Sequence, residues 1–155
     1  MKNDLNELRS RPNGNYIFDS SWQDLHILTK HWKSDLLFYI DDLRFLDDLI
    51  DKYIIWISKE DDLESVRNIR KRIVKTTKEC DLLLQGINKH LTHIEGLMED
   101  PFKYDSHNFR TEHQQLENDI TIFLKTFRAN RKEVFKVTEH LIESDELIRI
   151  LTKAH

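Results

Sequence analysis

Apolar residues recur along this chain at alternating steps of three and four, the spacing that keeps one stripe on one side of an α-helix. The longest run is Phe109, Leu116, Ile120, Phe123, Phe127, Val134, Val137, Leu141, Ile148 and Leu151. A second is Trp22, Leu25, Trp32, Leu36, Tyr39, Leu43, Leu46, Ile50, Tyr53 and Ile57, and a third runs from Val66 through Ile69, Ile73, Cys80, Leu83, Leu84, Ile87, Leu91 and Ile94 to Leu97. Ser58-Lys59-Glu60-Asp61 makes a tight connection. Asp100-Pro101 stops the middle run, because a residue before proline avoids the helical region. The pattern predicts helices over about 20–57, 62–98 and 106–153.

Short connections make consecutive helices antiparallel neighbours. The expected fold is all-α: an elongated antiparallel up-down-up three-helix bundle over residues 20–155, with long coiled-coil-like helices. The first two would each be roughly 57 Å long at ~1.5 Å per residue. Residues 1–19, with the turn signal Pro12-Asn13-Gly14-Asn15, read as a partly irregular strap. Ser20-Ser21-Trp22-Gln23 reads as a capping box, with Gln23 reaching back to the helix start.

The two turns set which residues share a height. Level pairs have numbers summing to about 118 around the first turn and about 203 around the second. On this register the acidic middle of the first helix (Asp41, Asp42, Asp47, Asp48, Asp51) meets basic stretches of its neighbours. The basic residues include Arg67, Arg70, Lys71 and Lys75 on the second helix, and Arg128, Arg131 and Lys132 on the third. They could serve nucleic acid or an acidic partner, but signs that segregate by helix favour pairing between helices, as flanking charges do in coiled coils. Asn130 falls on the third stripe near the height of Thr76 and Thr77, and reads as a polar layer that fixes register.

Composition narrows the picture. The chain has 155 residues and a net charge of −4, which argues against nucleic-acid binding by the whole molecule. One cysteine, Cys80, allows no internal disulfide and suits a reducing, cytoplasmic setting. No signal-peptide pattern opens the sequence, and the longest apolar run, Tyr53–Ile57, is too short to span a membrane. No nucleophile, phosphate loop or catalytic spacing stands out, so the reading is non-enzymatic, with no cofactor expected. Gly86 and Gly96 share heights with Trp32 and Trp22, and are expected to make room for those indoles.

Two features carry candidate chemistry. His26, His31, His90, His93, His107 and His113 gather at one end, with His90 level with His113. Imidazoles and carboxylates on facing helices are how bundles hold zinc, iron or manganese, and His90, His93, His113 and Glu117 are the candidate ligands of a divalent metal. The Glu-x-x-His and His-Glu-x-x-His spacings of known sites are absent. At the other end Ile55 and Trp56, with Leu147, Ile148 and Leu151, form an apolar excess that one bundle cannot easily cover. Self-association as a homodimer is the expected use.

The segment Trp32-x-Ser34-Asp35-Leu36-x-Phe38-Tyr39-x-x-Asp42-Leu43, with His113-x-x-Leu116, resembles a pattern in a family of small, uncharacterised bacterial helical proteins. The resemblance spans about 22–145 and implies a cytosolic helical bundle with no activity to transfer. The functional expectation is a helical interaction or scaffolding module that self-associates. The alternatives are a metal-binding bundle using the histidine end, and a binder of nucleic acid or an acidic partner through the basic faces.

Overall fold

A computed structural model describes the backbone of residues 19–55, 57 and 60–153, and the side chains of these outside 60–61, 141–142 and 144–153. Among them are three helices: α1 (Trp22–Ile54), α2 (Glu60–Glu99) and α3 (Ser106–Lys153). The fold is an all-α three-helix bundle. None of the described helices is long and apolar enough to cross a membrane. Residues 1–18 of the expected strap, and Trp56, lie outside the described residues.

Helix ends follow local chemistry. Ser21 caps α1 by accepting the Asp24 amide at 3.1 Å, so the capping serine is followed three residues later by an acid. Gln23 does not fill that position, which corrects the expected box. α1 closes at Ile54, where the Ile57 amide reaches the Ile54 carbonyl at 3.3 Å. It is shorter than the predicted 20–57 because an all-apolar tail gives no stop signal. Asp105 caps α3 through its carboxylate, which accepts the amides of His107 and Asn108 at 2.9 and 3.1 Å. Between α2 and α3 the Asp100 carboxylate accepts the Phe102 amide, turning the chain at Pro101.

The chain divides into two compact units, each built from all three helices: the described residues of Met1–Ile40 and Lys78–Lys125, and those of Asp41–Thr77 and Thr126–His155. In the first unit Leu25, Leu28, Trp32 and Leu36 of α1 are buried. So are Cys80, Leu84, Ile87, Leu91, Ile94 and Leu97 of α2, and Phe109, Ile120, Phe123 and Leu124 of α3. Trp22 packs against the cluster of Leu25, Ile94, Leu97 and Phe109. The Cys80 thiol meets the Leu36 carbonyl at 3.6 Å, and Tyr39 meets Phe123 edge-on at 6.1 Å. These contacts run between antiparallel α1 and α2 and between parallel α1 and α3, in the expected register. Each large buried side chain contributes about 1.5–3 kcal/mol before chain entropy is set against it.

The second unit buries Leu43, Leu46 and Ile50 against Val66, Ile69, Ile73, Phe127 and Val134. Its register is marked by polar pairs. Asn130 donates to the Thr76 hydroxyl at 2.6 Å, with both residues buried. Arg70 of α2 pairs with Asp47 at 3.6 Å and also with Asp51, while Arg72 pairs with Glu133 of α3.

The glycines differ from expectation. A Cβ on Gly86 would meet only the Leu116 side chain, at 3.7 Å, and one on Gly96 would lie 3.1 Å from the Tyr104 ring and 3.4 Å from Lys103. Neither makes room for an indole. Gly96 lets the α2–α3 connection lie against the helix, and Gly86 leaves a gap on the surface.

Candidate functional site

The histidine end lies in the first unit, and its centre is an imidazole pair. His90 and His113 stand on inward positions of α2 and α3, 4% and 0% exposed. Nε2 of His90 lies 2.8 Å from Nδ1 of His113, so one ring donates to the other. Aromatic rings hold both in place. His90 stacks on Phe109 with centroids 4.3 Å apart, and His113 stacks on Trp32 at 4.6 Å. Phe109 in turn takes Trp22 edge-on at 5.4 Å, and Arg110 lies over Trp22 while donating to the Ser20 carbonyl.

Burial sets the electrostatics. Loss of water pushes His90 down to about 4, helped by the nearby His93. The same loss pushes His113 down to about 3, with smaller contributions from His90 and Arg110. Both rings are therefore neutral at pH 7. Nε2 of His113 is buried and has no hydrogen-bond partner, and neither has Nε1 of Trp32. Glu117, fully buried, stands one turn beyond His113 on α3.

Beside the pair a pocket of about 210 Å³ opens between α2 and α3, lined by Gly86, Lys89, His90, His93, Glu112 and Leu116. The gap left by Gly86 forms part of its wall. His93 is half-buried and lies against Tyr104 at 5.0 Å, and Glu112 is exposed. Of the expected ligands, His90 and His93 share this pocket, while His113 stands behind His90. Glu117 is not among the lining residues. Among the described residues, the one group bringing three ligand atoms within 4.8 Å of one another is Asp47, Asp48 and Asp51. Two of those aspartates already face Arg70.

Of the other histidines at this end, His107 is exposed and His31 is half-buried with its Nδ1 shielded from water. His26 meets Glu95 at 3.3 Å across α1 and α2. Cys80 is fully buried, and burial, with Asp81 adding to it, pushes its thiol up to about 12, so it is not a poised nucleophile.

The expected basic face falls in the second unit. Arg70 is committed to Asp47 and Asp51, and Arg131 lies over the Phe135 ring at 5.5 Å. Arg67, Lys71, Lys75 and Lys132 are exposed, and Arg128 is half-buried. Of the expected self-association residues, Ile55 is 78% exposed, and the side chains of Trp56, Leu147, Ile148 and Leu151 lie outside those described.

At the histidine end the sequence favoured Glu117 over the nearby Glu112 as the carboxylate ligand, and it missed a group of exposed apolar residues in the first unit: Leu37, Phe38, Leu82 and Ile122. Their signal was present, since each is a large apolar residue off its helix's stripe. No protein family, curated protein or solved structure matches this chain.

Proposed function

We propose that this chain is a non-enzymatic helical interaction module that self-associates. A belt of large apolar side chains at one height of the first unit carries this reading. Leu37 is 48% exposed, Phe38 64%, Leu82 65% and Ile122 63%. The Cys80–Leu36 and Tyr39–Phe123 contacts bring these stretches of α1, α2 and α3 to a common level. Single exposed apolar residues are ordinary on any surface, whereas four large ones at one height of the bundle support a partner there. A second copy carries the same belt, so a two-fold pairing matches like with like. The lone, buried thiol supports a reducing cytoplasmic setting. The Trp32–Leu43 pattern supports kinship with the small bacterial helical proteins it resembles.

Sedimentation velocity over a range of concentrations tests the reading. The intact chain is expected to move from monomer to dimer as concentration rises, and Phe38→Glu with Ile122→Glu to hold it monomeric. An intact chain that stays monomeric throughout overturns the proposal. Ile55→Glu, run alongside, measures what the α1 end adds.

A further inference from the structure

The geometry points to a divalent transition-metal site in the α2–α3 pocket, with Nδ1 of His90, the His93 imidazole and the Glu112 carboxylate as ligands and His113 as the residue that orients His90. Burying two imidazoles in an aromatic layer, one with a nitrogen left unpartnered, is unfavourable beside an apolar pair of similar volume. Such a departure from the economical core marks a functional position when it adjoins a pocket. Here it does, because His90 is both a member of the pair and part of the pocket wall.

Valency then assigns the atoms. With Nε2 of His90 bonded to His113, Nδ1 is the nitrogen left to bind a ligand. A metal-bound imidazole normally donates its other N–H to a fixed acceptor, which sets its tautomer and ring plane. Nδ1 of His113, held by the Trp32 stack, is such an acceptor at 2.8 Å. His93 lies three residues along the same helix, and so neighbours His90 on the helix surface. Glu112 of α3 lines the same pocket as both. Two imidazoles and one carboxylate leave a fourth position for water, a donor set that suits zinc. His93 and Glu112 are not gathered on His90 in the present arrangement, and close on the ion by side-chain rotation.

The test uses the whole chain without a histidine tag, titrated with cobalt(II) and then with zinc. One equivalent of cobalt is expected to give visible bands of four- or five-coordinate geometry, which zinc displaces. His93→Ala and Glu112→Gln, neither of them a core substitution, should each weaken binding at least about tenfold, as should removal of the orienting group in His113→Phe. His26→Ala with His107→Ala should leave it unchanged. No cobalt bands at one equivalent, or bands that survive His93→Ala with Glu112→Gln, overturn the assignment.

Discussion

Each unit of the bundle buries one polar pair across α2 and α3, and the two pairs obey different chemistry. In the second unit an amide donates to a hydroxyl, and neither Asn130 nor Thr76 leaves a buried polar atom without a hydrogen bond. That layer suits a role in register, since any sliding of α2 past α3 would orphan both groups. In the first unit two imidazoles meet, one nitrogen remains unpartnered, and both rings titrate well below their ordinary range. A polar residue on an apolar stripe is therefore not one kind of feature. Completeness of its hydrogen bonding separates a spacer that fixes alignment from a group held at a cost.

Acid should separate the two pairs most strongly. The folded values of His90 and His113, about 4 and about 3, lie below the ordinary 6.5, so the unfolded chain takes up protons first. Their contribution is fully present above about pH 6.5 and is lost as pH falls toward 4 and then 3. Between pH 7 and pH 5 each buried ring should withdraw about 2 kcal/mol from stability. Urea unfolding at pH 7, 6 and 5 measures this, and His90→Leu with His113→Leu should flatten the dependence. An equally steep loss in the double variant would assign the acid sensitivity to the carboxylates.

The second pair can be broken without protons. Asn130→Ala should cost about 1–3 kcal/mol by stranding the Thr76 hydroxyl, and adding Thr76→Val should recover much of it. Equal stability of the single and double variants would mean that the hydroxyl has another partner. Gly86→Ala sharpens the view of the pocket wall. The added methyl meets only ordinary contact and should stabilise the chain by about 0.5–1 kcal/mol. Gly96→Ala should gain less, or lose, because Tyr104 must shift. Smallest of all, Arg70→Ala should cost under about 1 kcal/mol, since its pairs with Asp47 and Asp51 are partly exposed and screened by water. Thermal unfolding of the three variants ranks them.

Much of the fold was legible because helical periodicity and two short connections leave few arrangements. The register arithmetic places His90 beside His113, Asp47 beside Arg70 and Asn130 beside Thr76. It could not reveal hydrogen-bond completeness, which depends on rotamers and not on height. Leu28, Leu124 and Glu117 were absent from the apolar stripes, yet all three are buried, because contact with two neighbours makes each buried face wider than one stripe. The glycines were misread for a related reason. Sharing a height with Trp32 or Trp22 does not put a residue on the side of the helix that faces the indole. Glu112 was set behind Glu117 because an exposed acid on a helix has no periodic signature.

Cys80 offers a use beyond packing. It is the one sulfhydryl in the chain, sealed against the Leu36 carbonyl and held protonated far above neutral pH. Since only the thiolate attacks, labelling by a disulfide reagent must wait until α1 and α2 part around it. Its rate of modification is thus a built-in clock for local opening of the first unit, readable without any introduced probe.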